Sequence, residues 1–380
     1  MNASMFAAQS LPPWRRAVLK VGSSLLSGEG GLEPRYAGAL ARFIEHARTQ
    51  QREVVLVSSG AVAAGRHRVG AGGDGLVLRQ ALASLGQAAL VTFWQQLVDR
   101  PVAQVLLTHD DLRNRRRYLN ARATLRELLR LGALPVINEN DAVAVDELKL
   151  GDNDNPAAAV ASLIDADLLL IATDIGGLYS AHPSDPSAQA ITRVESITPE
   201  LSQAASGGAG ALGTGGMRTK LDAAAKAAAA GIAKALFSGR DAAVVRALHD
   251  DRLHGTLVTA QGDRLRARKQ WLRHAPSSGR LQVDAGAFAA LHRQGASLLP
   301  GGVVSIDGEF RRGDVVEILD DHGAVFARGI AQYNAGEVRR IARRHSNEIE
   351  PILGFRYGES VVHRDDLVLL DATTNREATP

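Results

Sequence analysis

The chain of 380 residues contains no cysteine. Disulfides and thiolate metal sites are therefore excluded, and nothing in the residues points to secretion. An excess of charge of either sign is also missing. Lys and Arg number 44 against 41 Asp and Glu, leaving a formal net charge of +3, which is weak support for any acidic partner. No apolar run nears 18 residues, so no membrane-spanning helix is expected. The opening MNASMFAAQSLPPW has neither the basic region nor the apolar stretch of a secretion signal; it reads as a short tail, and a cytoplasmic location is expected. With 45% hydrophobic and 22% charged residues, the composition is that of an ordinary globular protein. A single core rarely grows past roughly 250–300 residues, so two domains are expected.

Up to about residue 260, short apolar runs alternate with amphipathic or alanine-rich stretches. AVLKVG (17–22), EVVLVSSG (53–60), VAQVLLT (102–108), ALPVINE (133–139), ADLLLIATD (166–174) and KALFSG (234–239) read as buried strands ending in turn residues. RYAGALARFIEHARTQ, LRQALASLGQAALVTFWQQLV and YLNARATLRELLRLG between them read as helices. That alternation predicts an αβα sandwich with a mainly parallel sheet, and ligands in such sheets bind beyond the carboxyl ends of the strands. The basic stretch from 261 reads as a linker. Beyond it, short strand-like pieces and frequent glycines predict a small β-rich domain with one or two helices, including GEVRRIARRH (336–345), and a tail that looks disordered beyond about 365.

Five polar clusters could carry chemistry, three of them directly after strands. LKVGSSL places Lys20 before a turn through Gly22, Ser23 and Ser24, able to offer N–H groups and a positive charge to phosphate. A Walker loop is excluded, because its spacing is absent; a buried strand with a snorkelling lysine explains the same residues. In VSSGAVAAGR, Ser58, Ser59 and Gly60 open a helix whose N-terminus attracts anions, or they merely cap it. No G-x-S-x-G and no obviously placed histidine supports a serine triad. INENDAV puts Asn138, Glu139, Asn140 and Asp141 where they could grip an amino group, or serve as Asx-turn residues.

GDNDN (151–155) resembles a calcium loop only superficially. Counted from Asp152, the sixth position is Ala157 and the twelfth Leu163, where an EF-hand needs glycine and glutamate. Asn155 suits a helix N-cap and Pro156 the first turn, which leaves Asp152, Asn153 and Asp154 without a structural explanation. Finally, GALGTGGMRTKL combines Gly213, Gly215 and Gly216 with Lys220, compatible with a phosphate cradle or with a plain surface loop. Two lysines, several phosphate-compatible turns and a carboxylate–amide group, without a nucleophile, fit phosphoryl transfer to an acceptor that needs no general base. A carboxylate is such an acceptor, since the glutamate side chain ionises near pH ~4.3.

In order, VLKVGSSLL, VLVSSGAVAAGR, QALASLGQ, LNARATL, PVINENDAVA, KLGDNDN, LLIATDIGGLY and GTGGMRTKL resemble the amino acid kinase superfamily. In detail they resemble its branch that phosphorylates the γ-carboxylate of L-glutamate, the first step of proline biosynthesis. The resemblance implies an N-terminal tail (1–14), a catalytic domain of the amino acid kinase fold (15–260), a linker (261–278), a PUA domain (279–357) and a C-terminal extension (358–380). It implies ATP and Mg²⁺, with Lys20 and Lys220 on the ATP phosphates and Asp154 orienting both. Ser59, Asp141 and Asn153 would bind glutamate. Gly22, Thr173, Asp174 and the loop Thr214, Gly215, Gly216, Met217, Arg218, Thr219 and Lys220 would line the nucleotide site. It further implies inhibition by proline, a homo-oligomer, and hand-over of the acyl phosphate to glutamate-5-semialdehyde dehydrogenase. INENDAV, GDNDN and the PUA tail weigh against acetylglutamate kinase, aspartokinase and uridylate kinase. RNA is the partner a PUA domain raises, but residues 279–357 carry ten arginines against ten Asp and Glu, so that domain is formally neutral.

Overall fold

The computed structural model describes residues 6–70, 72–73, 75–144, 153–181, 185–196, 223–225, 227–228, 230–260, 262, 269 and 272–370. The chain divides into two compact units, Met1–Asp263 and Arg264–Pro380.

An eight-stranded sheet forms the centre of the first unit. Across it run Arg193–Val194, Gly255–Val258, Ala233–Ser238, Leu168–Thr173, Arg16–Val21, Glu53–Ser58, Leu134–Glu139 and Val102–Leu107. Every neighbouring pair is parallel except Ala233–Ser238 with Gly255–Val258. All six expected strands are present. Their near-continuous apolar runs are what a sheet covered on both faces requires. One face packs Ala17, Leu19 and Val21 against the helices Pro34–Thr49, Leu76–Gln95 and Ala242–Ala247. The other packs Val18, Leu169 and Ile171 against Arg115–Arg130 and Asp154–Leu163. Alternation along the first strand therefore sends Lys20 to the same face as Val18.

Arg16–Val21 is the first strand in sequence of the eight. The chain next adds Glu53–Ser58 on one side of it and, later, Leu168–Thr173 on the other. Its carboxyl end is thus the point where the winding direction reverses, the place where open α/β sheets bind ligands.

Contrary to the expectation from apolar runs, Leu76–Gln95 is long and apolar enough by length and composition to cross a membrane. Its Leu82, Leu90, Phe93 and Trp94 lie in the core beside the sheet, as in a covering helix. Of the polar residues that break its run in sequence, Ser84 and Thr92 are exposed on its outer side, while Gln87 is buried.

The second unit has a five-stranded sheet in the order Val303–Asp307, Gly279–Val283, Val315–Leu319, Val325–Ala331, Val362–Leu369. Its core contains Leu281, Phe310, Val316, Tyr333, Val338 and Val362. Three corrections to the sequence reading arise here. The helix expected over 336–345 spans Ala335–Ile341, with an Asn334–Glu337 capping box at its start, and Arg343 adopts φ 66° just beyond its end. The chain past 358 continues into the strand Val362–Leu369, paired with Val325–Ala331, so the disorder expected beyond about 365 does not begin there; residues 371–380 lie outside the described residues. Lastly, Arg328 donates to the carbonyls of Arg273 and Ala275 (2.6 and 3.2 Å), so the end of the expected linker is fastened to the second unit.

Candidate active site

Lys20 is 5% exposed, and its Nζ lies 2.7 Å from Oδ1 of fully buried Asp154. Asp154 is the first residue of the helix Asp154–Leu163, where the partial positive charge of the helix N-terminus adds to that of the lysine. A buried pair contributes little net stability, because desolvation offsets the attraction; its position at the winding reversal is the informative feature.

The expected N-cap at Asn155 is not observed. The cap lies two residues earlier, at Asn153, the helix begins at Asp154, and the Asn153 side chain makes no capping hydrogen bond. Instead Asn153 Nδ2 donates to Ser59 Oγ (3.0 Å) and Asn138 Oδ1 (3.1 Å), and Asn138 donates to Gln87 Oε1 (2.9 Å). Ser59, Asn138 and Asn153, from three separate segments, thus form one network. Capping by the serines of VSSG is also not observed: Gly60, at φ 110°, holds the N-cap position without a side-chain bond. That backbone conformation is open to glycine and strained for most other residues. Ser58 accepts from Trp94 Nε1 (2.9 Å).

Gln87 reaches this network because two helices meet backbone to backbone. A Cβ on Gly86 would stand 1.9 Å from the Ala61 carbonyl, and one on Gly65 1.9 Å from that of Leu82. Gln87 was not singled out from sequence. Its signal was a lone amide on the buried side of an apolar helix, a group that has to find a partner.

Ser59, Asn138, Asp141 and Asn153 line a cavity of about 700 Å³ together with Arg66, His67 and Arg79. Asp141 lies in the turn after Leu134–Glu139, and Gln80 Nε2 ties that turn to the next helix through the Ala144 carbonyl (3.2 Å). Burial pushes the Asp141 carboxyl above its ordinary range, while the Arg79 guanidinium pulls it back. The cavity therefore offers two carboxylates, Glu139 and Asp141, to a cation and two guanidinium groups to anions. Arg66, His67 and Arg79 were also missed from sequence, where they read as ordinary polar residues of amphipathic stretches.

Thr173 and Asp174 lie on the other side of the Lys20 strand, at the end of Leu168–Thr173. Thr173 is buried and its Oγ1 donates to Asp174 Oδ1 (3.1 Å); Arg240 Nη2 is 4.0 Å from Asp174 Oδ2. Gly22 lies between the two sides in extended backbone (φ −74°, ψ 155°), and a Cβ there would meet nothing closer than 3.9 Å. Asp152 and the stretch from Gly213 to Lys220, which includes Thr214, Gly215, Gly216, Met217, Arg218 and Thr219, lie outside the described residues. Among the described residues there is no group of three His, Asp or Glu placed to hold a metal ion.

This arrangement, a central buried lysine between a polar cavity and a second polar strand end, suits anionic substrates bound on either side of it. A model of the amino acid kinase family matches residues 15–237, and a model of the PUA domain matches residues 279–353. A glutamate 5-kinase of Xanthomonas oryzae pv. oryzae is 64% identical over 362 residues, covering 93% of this chain and 100% of the relative. A glutamate 5-kinase of Xylella fastidiosa is 60% identical over 377 residues, covering 97% and 98%. Among solved structures, the UMP kinase of Bacillus anthracis aligns with 66% of this chain and 98% of its own, at 14% identity and a TM-score of 0.43. The chain belongs to the amino acid kinase family and, within it, to the glutamate 5-kinases.

Proposed function

We infer that the chain transfers the γ-phosphoryl group of ATP to the γ-carboxylate of L-glutamate, yielding ADP and L-glutamate 5-phosphate at the start of proline biosynthesis. The observation that carries the reading is the buried Lys20–Asp154 pair between the Ser59–Asn138–Asn153 network and Thr173–Asp174.

The acceptor carboxylate is ionised at neutral pH, so no base has to remove a proton from it. The barrier is the approach of an anion to a polyphosphate, and fixed positive charge lowers it. Lys20 takes that role at the transferred phosphoryl group, held in place by Asp154. Ser59 and Asn153 orient the acceptor carboxylate, and Asp141 receives the α-ammonium, a group that an N-acetylated substrate lacks. Arg66 and Arg79 supply positive charge for the remaining carboxylate. Thr173 and Asp174 face the nucleotide. From the motif alone, Lys220 and the loop from Thr214 to Thr219 complete the phosphate cradle, and Gly22 leaves space beside it.

Magnesium belongs to this reading as the counter-ion that ATP carries. The described residues do not form a protein cage for it, and no step is assigned to it. Proline inhibition, a homo-oligomer, a cytoplasmic location and hand-over to glutamate-5-semialdehyde dehydrogenase accompany the reading on resemblance alone.

RNA binding through the second unit finds less support. Three of the four arginines of its basic helix region already have partners: Arg339 pairs with Glu309 (2.7 Å), Arg343 with Asp284 (3.1 Å), and Arg340 donates to the Ile352 carbonyl.

Incubation with ATP, Mg²⁺ and hydroxylamine tests the proposal by trapping an acyl phosphate as its hydroxamate. Hydroxamate is expected with L-glutamate and not with N-acetylglutamate or aspartate. A folded sample that yields none with glutamate would overturn it.

A further inference from the structure

The segment before the first sheet strand reads as a tail, yet its described part is pinned at several points. Gln9–Ser10 pairs antiparallel with Arg252–Leu253, and Leu11 N donates to the Asp251 carbonyl (2.8 Å). Gln9 Nε2 donates to the carbonyls of Thr192 (2.5 Å) and Gly255 (3.2 Å). Trp14 Nε1 donates to Asp251 Oδ1 (2.9 Å), whose carboxylate also binds Arg52 (2.7 Å). The Phe6 carbonyl lies 3.2 Å from His254 Nδ1. Chain ends ordinarily fray unless tied down; this one is tied along its described length.

Phe6 is 2% exposed. Its ring stands edge-on to Tyr179 (centroids 5.3 Å apart, planes at 79°) and rests on the backbone of Gly176 and Gly177. A Cβ would come within 2.6 Å of the ring at Gly176 and 2.8 Å at Gly177. Those glycines belong to the turn that starts at Asp174. Two consecutive glycines leave the second half of the turn without side chains to pack and with many accessible conformations. The ring from the distant N-terminus fills that role.

We propose that the N-terminal arm from Phe6 to Leu11 braces the turn Asp174–Gly177 in its ATP-binding form, with Phe6 a positioning residue for Thr173 and Asp174. The proposal rests on the reading of those two residues as the nucleotide side. A turn ordered in advance spares ATP the entropy of ordering it, and preorganisation of this kind shows up as affinity.

The test uses the full chain and compares Phe6→Ala, Phe6→Leu and Asp174→Ala with the unaltered protein, measuring KM for ATP and for glutamate. Phe6→Ala is expected to raise the ATP KM about tenfold, roughly what fixing one residue's backbone costs. The glutamate KM stays put, and Phe6→Leu, which restores apolar bulk, recovers most of the loss. Should Phe6→Ala not fold, Gly176→Ala displaces the ring from the other side and carries the same expectation. An unchanged ATP KM in the Phe6 variants beside a raised one in Asp174→Ala overturns the brace and leaves the nucleotide reading intact. If Asp174→Ala also leaves the ATP KM unchanged, both fall. A parallel rise in both KM values overturns the brace, because it marks a general loss of structure.

Discussion

Altering Lys20 and Asp154 singly or together separates their structural part from their proposed catalytic one. Asp154→Ala leaves a buried ammonium without its carboxylate, which is expected to cost about 3–5 kcal/mol of stability. Lost charge stabilisation is expected to lower kcat at least ~10²-fold. Replacing both by apolar residues (Lys20→Met with Asp154→Leu) should restore the denaturation midpoint while leaving activity lost. Near-normal turnover in Asp154→Ala would remove this residue from the mechanism. Asp141 gives a prediction in pH. Its carboxyl is raised by burial and lowered by Arg79, and in the proposed binding mode the ammonium of glutamate needs it ionised. Glutamate kcat/KM should therefore fall on acidification through a value above the usual carboxylate range. Arg79→Gln removes the lowering charge, so the fall should move to higher pH; an acid limb that stays in place would dissociate Arg79 from Asp141. At this scale the sequence was legible wherever a polar residue followed a strand or opened a helix: Ser59, Asp141 and Thr173 stand at strand ends or just beyond them, and Asn153 at a helix N-cap. Gln87, Arg66 and Arg79 were not legible, because they lie on helices whose facing surface is set by packing.

The helices Ala61–Val69 and Leu76–Gln95 show what an element contributes. Their contact at Gly65 and Gly86 is too close for any side chain, with carbonyl oxygens 1.9 Å from either hypothetical Cβ. Gly86→Ala is expected to push the pair apart at a cost of about 1–3 kcal/mol. It should also raise the glutamate KM, since adjacent Gln87 holds Asn138. A denaturant midpoint and a glutamate KM both unchanged would mean that the helix pair yields freely and does not position Gln87. Element type was readable from periodicity, and element ends less so. The helix after GDNDN begins one residue before the expected cap, because the Asn153 side chain is committed to Ser59 and Asn138. In the second unit, Val362–Leu369 is a strand despite four polar residues in a row, because pairing with Val325–Ala331 supplies what its own pattern does not.

For the whole molecule, the two units have separate cores: one built from residues up to Val258, the other from Leu281 onward. All proposed site residues lie in the first. A chain ended near residue 277 should therefore still form hydroxamate from glutamate; a folded but inactive truncation would tie catalysis to the second unit. The sequence by itself determined the αβα class, the strand ends that carry Lys20, Ser59, Asp141 and Thr173, and the kind of chemistry those residues allow. These follow from periodicity and side-chain type, which act over a few neighbouring residues. Only the tertiary structure decided that Lys20 meets Asp154, that Asn153 joins Ser59 to Asn138, that Arg79 faces Asp141, and that Phe6 packs beneath the turn after Thr173. Those contacts join residues from 15 to about 170 positions apart, and close packing of the covering helices and the N-terminal arm, not local preference, determines which side chains meet.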